Sequence, residues 1–133
     1  MRKALRRGTI EENGWTLVSA EERNAAYPDT FQIPSQDKRA SLSAGDGVKL
    51  LFDIETKENG RVIDRGTDRM WVIIKARSGS GYVGILDKDP GIAENLNLNE
   101  GDAIVFGPEH ICEISKPPHE YIMKKYGPAF FQE

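Results

Sequence analysis

The stretch Val48-Lys49-Leu50-Leu51-Phe52-Asp53-Ile54-Glu55 constrains the fold more than any other part of the chain. Val48, Leu50, Phe52 and Ile54 fall on one side of an extended backbone, with Lys49, Asp53 and Glu55 on the other. A period of two marks a strand with one buried face and one mostly wet face. Leu51 alone breaks the pattern. Asn59-Gly60 follows, a pair that tolerates the positive φ of a type I′ turn, so Arg61-Val62-Ile63-Asp64 is expected to return antiparallel. Met70 to Ala76 is apolar on both sides, with Met70, Val72 and Ile74 on one and Trp71 and Ile73 on the other, which predicts a central strand.

The strand block continues to about residue 115. Ser78-Gly79-Ser80-Gly81 turns the chain into Tyr82-Val83-Gly84-Ile85-Leu86, where Gly84 marks a bulge or a close backbone approach. Asp87 to Gly101 reads as a long connection with one helical turn near Ile92 to Leu96. Ala103 to Phe106 is a strand, and Gly107-Pro108 turns it into another over His110 to Ile114. Before this block, residues 1–47 are mixed and turn-rich. Trp15-Thr16-Leu17-Val18 reads as a short strand. Ser19 and Glu22 are spaced as a capping box for a helix over Ala20 to Ala26, which Pro28 closes. Phe31-Gln32-Ile33-Pro34 reads as extended and Ser35 to Ala44 as loop. After the block, residues 116–133 carry helix punctuation, with Pro117-Pro118 at the start, Lys124-Lys125 in the last turn and Gly127-Pro128 as the stop. Phe130 and Phe131 are expected to dock on the sheet or on another chain. The reading is one domain of α+β class, mostly β: an antiparallel bent sheet or small open barrel with a C-terminal helix.

Composition supports a single globular core. The chain has 133 residues, 38% hydrophobic and 29% charged, with 18 Lys+Arg against 21 Asp+Glu for a net charge of −3. A mildly acidic balance argues against a protein devoted to gripping a nucleic-acid backbone. No apolar run is long enough to span a membrane. The basic start Arg2-Lys3-Ala4-Leu5-Arg6-Arg7 is followed by polar residues and not by an apolar stretch, so a cytoplasmic protein is expected. The single cysteine, Cys112, excludes an internal disulfide and a four-cysteine zinc site.

One internal echo stands out. Leu42-Ser43-Ala44-Gly45-Asp46-Gly47-Val48 and Leu98-Asn99-Glu100-Gly101-Asp102-Ala103-Ile104 share the pattern Leu-x-x-Gly-Asp-x-(Val/Ile), each leading into a strand with a Phe. It reads either as a pseudo-repeat of two similar halves or, more plainly, as two independent uses of one turn in which Gly supplies positive φ and Asp bonds nearby N–H groups.

Residue types that carry chemistry are few. His110, Cys112 and His119 supply three candidate ligands, short of a convincing zinc set, so no metal or other cofactor is expected. Asp87-Lys88-Asp89-Pro90-Gly91 resembles a calcium loop but has its glycine one place early and Leu98 where a bidentate Glu belongs. No nucleophile elbow, Walker loop or dinucleotide fingerprint is present. Cys112 beside Ile114 reads as a buried thiol, since reactive thiolates need electropositive, partly exposed surroundings.

The motifs Arg69-Met70-Trp71-Val72, then Gly81-Tyr82-Val83-Gly84-x-Leu86-Asp87-x-Asp89-Pro90, then Gly101-Asp102-x-Ile104-x-Phe106-x-Pro108-Glu109-His110-Ile111 resemble a bacterial family of small uncharacterised domains related to proposed toxin-immunity proteins. The resemblance covers roughly residues 48–115; members often carry Asn where this chain has Lys88. It implies a compact β-rich domain with no established catalytic residues, and a partner: a toxin whose active site the protein blocks.

Three functions follow as expectations. The first is a non-catalytic binding module, an immunity-type protein that blocks a bacterial toxin, with Arg69, Trp71, Tyr82, Asp89 and His110 as its working surface and a toxin-like protein as partner. The second is a small hydrolase-like enzyme with His110, Glu109 or Asp89 as acid–base groups. The third is a small barrel that binds single-stranded nucleic acid through Arg61, Arg65, Arg69, Lys75 and Arg77 with Trp71 and Tyr82, although Asp64 and Asp68 neutralise part of that cluster.

Overall fold

The computed structural model describes residues 15–87 and 101–131. In chain order these form β1 (Trp15–Leu17), α1 (Ala20–Ala26), α2 (Gln36–Ala40), β2 (Gly47–Glu58), β3 (Arg61–Ser78), β4 (Gly81–Leu86), β5 (Ala103–Phe106), β6 (Ile111–Ser115) and α3 (His119–Tyr126). All pairings are antiparallel. β2 pairs β3, β3 pairs β4 and β4 pairs β5, while β1 and β6 share the other edge of β2 end to end. A 3-10 turn at Pro108–His110 carries the chain from β5 on one margin of the sheet to β6 on the other. So short a link holds the two margins near each other, and the sheet curls into a half-barrel.

The alternation in β2 sets the inside. Val48, Leu50, Phe52 and Ile54 are buried in one cluster with Met70, Val72 and Ile74 of β3, Tyr82 and Leu86 of β4, Ile104 and Phe106 of β5, and Ile111. Each large apolar side chain removed from water in this way contributes about 1.5–3 kcal/mol before entropy is counted. Leu51, the exception in the pattern, points to the outer face and is covered there. Ala20 of α1 and Cys112 are buried with it, and Val18, Phe31 and Ile33 pack against the group. A second cover lies further along the same face. Ile73 is buried with Ile122 of α3 and Phe130 of the tail, with Phe131 alongside, so the C-terminal phenylalanines dock on the sheet.

Local signals explain most elements. Ser19 Oγ accepts the Glu22 N–H at 3.1 Å and starts α1 where the capping box places it. Asn59 takes a φ of 53° at the β2–β3 turn. Three readings need correction. The polar segment 35–44 contains α2, capped by Ser35 Oγ, which accepts the Lys38 N–H at 3.3 Å. Residues 61–64 and 70–76 are not separate strands but parts of one 18-residue strand. His110 lies in the 3-10 turn before β6 and not on the strand. The helical turn expected near 92–96 lies outside the described residues.

The Gly-Asp echo has a structural counterpart. Gly45 and Gly101 have φ values of 94° and 93°. Gly45 N–H donates to Ile74 O and Asp46 O accepts from Ile74 N, both at 2.8 Å. Gly101 N–H donates to Leu86 O at 2.8 Å and Asp102 O accepts from Leu86 N at 2.9 Å. Because β3 and β4 pair as Val72↔Leu86, Ile73↔Ile85 and Ile74↔Gly84, a local two-fold through the Ile73/Ile85 pair relates the two turns and the strands they start. The pseudo-repeat reading therefore describes the backbone around this pair better than two unrelated turns do.

Arg39 pins the N-terminal cover to the barrel. Its Nε donates to Pro34 O at 2.8 Å, and its Nη1 donates to Glu21 Oε2 at 2.6 Å and to Pro108 O at 2.9 Å. Its own carbonyl accepts the Tyr82 hydroxyl at 2.7 Å. Arg39→Met strips the partner from two backbone carbonyls, each costing about 1–3 kcal/mol if left dry. Glu21 is half exposed and is rehydrated. Chemical denaturation is expected to show a loss of roughly 2–4 kcal/mol, and an unchanged midpoint would refute this role.

Candidate binding surface

Between Arg65 and Lys75, β3 displays its odd-numbered side chains on the outer face, opposite the core-facing Met70, Val72 and Ile74. Arg69 and Trp71 stand there side by side, across from Leu51 and Lys49 of β2. The N-terminal cover brings aromatic and cationic groups to the same place. The Phe31 ring has the Arg69 guanidinium 5.6 Å from its centroid and the Arg23 guanidinium at 5.9 Å. Both distances are within cation–π range. The Lys49 ammonium lies 4.9 Å from the Trp71 ring centroid and is ion-paired to Glu113 at 2.7 Å.

Two shallow depressions adjoin along this strip. One is lined by Thr30, Phe31, Gln32, Arg69, Cys112 and Glu113, the other by Arg23, Tyr27, Thr30, Phe31 and Arg69. Phe31 and Arg69 belong to both and form the ridge between them. Tyr27 stands 62% exposed at the margin, large for an aromatic side chain. A separate open groove between α2 and β6 is lined by Pro34, Lys38, Ser41, Leu42, Ile114 and Lys116.

The five residues expected to form a working surface do not come together. Arg69 is exposed and Trp71 half-buried on the outer face. Tyr82 is fully buried in the half-barrel, where its hydroxyl donates to Arg39 O and accepts the Leu42 N–H at 3.2 Å. Its strand, Tyr82-Val83-Gly84-Ile85-Leu86, is apolar at nearly every position, so sequence pattern alone does not reveal which parity faces inward. His110 is also buried, and its Nδ1 accepts the Gly107 N–H at 3.0 Å, which makes it a brace for the β5–β6 turn. Asp89 lies outside the described residues. Sequence reading missed Arg23, Tyr27 and Phe31. The signal for them was Leu51, an apolar residue on the wet side of β2 that needed something to cover it.

Cys112 is buried, and its thiol donates to Lys49 O at 3.1 Å. Burial is the main cause that pushes this thiol above its usual range, with the Glu113 charge adding to it. Among the described residues no group of three His, Cys, Asp or Glu side chains converges as a metal site. No described helix is long and apolar enough to cross a membrane.

Asp87, just past β4, gathers a different cluster. It accepts the Tyr121 hydroxyl at 2.8 Å and, through its other oxygen, a short hydrogen bond from the Tyr126 hydroxyl. Lys125 Nζ sits 3.0 Å from the same carboxylate and donates to the Asp87 carbonyl at 2.8 Å. These contacts fasten α3 to the end of β4. Comparison of the chain with protein-family models, with curated proteins and with solved structures returns no match.

Two measurements check this description. Desolvation first, then the bond to the Asp87 carboxylate, raises both phenol pKa values. A raised folded pKa stabilises fully below the unfolded value near 10 and is lost as pH climbs through the folded value. Asp87→Asn is therefore expected to bring tyrosinate absorbance at 295 nm in at lower pH, and an unmoved titration would show that the cluster is not formed. Cys112 is expected to react with a bulky disulfide reagent on the unfolding timescale, and rapid labelling of the native protein would contradict a buried thiol.

Proposed function

We propose that this chain is a non-catalytic binding module that recognises a protein partner through the outer-face strip of Arg23, Tyr27, Phe31, Arg69 and Trp71. The observation that carries the reading is the Phe31 ring held by two guanidiniums beside an exposed tyrosine, on a surface of shallow depressions. Arginine and large aromatics are the side chains that dominate binding energy at protein interfaces. The ring contacts also hold the two long arginine side chains in place before a partner arrives, which lowers the entropy lost on binding.

The chain carries −3 overall, yet this strip is basic, so the partner patch that fits it is acidic. The resemblance of residues 48–115 to domains related to proposed immunity proteins gives the module a role: occupying a toxin within the bacterial cytoplasm. Glu113, interleaved with the cations, makes the strip less suited to a continuous phosphate backbone than to a protein surface of mixed charge.

The test is capture from a lysate of the native host on immobilised full-length chain, alongside Phe31→Ala and Arg69→Glu. The partner is expected to be retained by the unsubstituted chain and to lose at least about tenfold in affinity with either variant, roughly 1.4 kcal/mol or more. Variants that keep their thermal midpoint but bind as well as the original would overturn the reading. The immunity role is tested by co-expression with the product of the adjacent gene: failure to relieve growth arrest removes it.

A further inference from the structure

We infer that the partner is engaged by strand addition: an extended acidic segment pairs with the edge of β3 at Arg65–Arg69 that no described residue occupies. The inference rests on the binding-module reading and specifies how that binding occurs. β3 is covered by β2 along one side from Arg61 to Ile73, but pairing with β4 on the other side begins only at Val72. The Asp87 N–H closes that side with a bond to Trp71 O at 3.0 Å. Toward the N-terminus from there, no described residue pairs with this edge, and residues 61 to 69 are all exposed.

Backbone parity tells which groups face the open side. Ile74 N–H donates toward β2, to Asp46 O, whereas Trp71 O receives its bond from the β4 side. N–H and C=O of one residue in an antiparallel ladder point the same way, alternating along the strand. Arg65, Thr67 and Arg69 therefore present their backbone groups to the open edge. The Arg65 N–H is folded back onto its neighbour, Asp64 Oδ1, at 2.9 Å. Thr67 and Arg69 are left to offer two donors and two acceptors in the spacing an added strand needs.

Charge selects the occupant. Arg65 and Arg69 share the outer face, and among the described residues neither has an ion pair. Between them Thr67 Oγ1 lies flat, donating to Asp53 Oδ1 at 2.6 Å. The carboxylates of this face, Asp53 and Glu55, belong to β2 opposite Thr67 and Arg65, on the far side of β3 from the open edge, so a strand added at that edge meets the two arginines first and matches them with acidic side chains at alternate positions. Asp68 points to the opposite face, where neutral residues of the same strand would lie, and Asp64, which starts from that face, turns its carboxylate to the Arg65 N–H, so pairing begins beyond it at Thr67. A second copy fits poorly. Antiparallel self-pairing sets residues of like parity opposite one another. Centred at 64, 65, 66, 67 or 68, it brings together Asp64 with Asp64, Arg65 with Arg65, Asp64 with Asp68, Arg65 with Arg69, or Asp68 with Asp68.

The test uses the full-length ¹⁵N-labelled chain and two capped probes, Glu-Thr-Glu-Thr-Glu-Thr-Glu and its Lys-for-Glu counterpart. The acidic peptide is expected to shift the Thr67 and Arg69 amide resonances and slow their exchange, with the lysine peptide at least about fivefold weaker. Thr67→Pro removes an outward N–H on an edge where proline is tolerated and is expected to weaken binding by about tenfold. Arg69→Glu, which leaves the backbone intact, is expected to reverse the preference between the peptides. Three results overturn the inference: Thr67 and Arg69 amides already protected in the free chain, equal binding of both peptides, or no binding at millimolar concentration. If Thr67→Pro keeps its fold and still captures the partner that Phe31→Ala loses, strand addition falls and the binding-module reading stands.

Discussion

The Arg39 guanidinium is the contact on which the arrangement of the outer surface depends. It is only 5% exposed, and burying a cation is costly unless it is paired and hydrogen-bonded. Here it joins the Glu21 carboxylate of α1, the Pro34 carbonyl between α1 and α2, and the Pro108 carbonyl of the β5–β6 turn, while its own carbonyl holds Tyr82 of β4. One side chain thus links the N-terminal cover to both the interior and the closing corner of the half-barrel. Phe31 sits on that cover, so the cation–aromatic strip depends on a contact of which it is not itself a part.

The outer face of the sheet is shared between two covers that arrive from opposite ends of the chain. α1 and the segment through Phe31 close over Leu51, and α3 with the phenylalanine tail closes over Ile73. Trp71 and Lys49 lie at the seam between them, half-buried because neither cover reaches across. Asp87 fixes how far the second cover extends by binding two tyrosines and a lysine of α3 at once. The surface between the two covers is basic and next to a strand edge that no described residue pairs, a combination produced by where they stop and not by any single motif.

Local patterns carried most of the fold in readable form. The alternation from Val48 to Ile54, the Asn59-Gly60 turn, the capping box at Ser19 and the punctuation around α3 each depend on neighbours within a few residues, and each is visible without tertiary context. α2 was not, because Gln36-Asp37-Lys38-Arg39 has no apolar stripe and is held by one buried arginine that reaches as far along the chain as Pro108. The unbroken course of β3 was hidden for a related reason: residues 61–69 read as polar and turn-prone, and pairing with β2 keeps them extended. The strip proposed for binding was the least legible part. Tyr82 and His110 carry polar atoms that suggest a surface, yet those atoms serve the interior, whereas Phe31 and Arg23 acquire their meaning only when Leu51 is seen to need a cover.

The Asn59-Gly60 hairpin also bears on the order in which the molecule assembles. Closing a tight turn costs little loop entropy, so β2 and β3 can meet early and zip along their length. The pairings on the other edge of β2 join residues far apart in sequence, Leu17 with Phe52 and Val48 with Ile114, and must wait for larger loops to close. The cover that carries Phe31 belongs to this late stage. A chain that has formed its hairpin but not its covers therefore lacks the arginine–phenylalanine ridge beside β3, and the surface proposed for recognition is complete only once the long-range pairings are made.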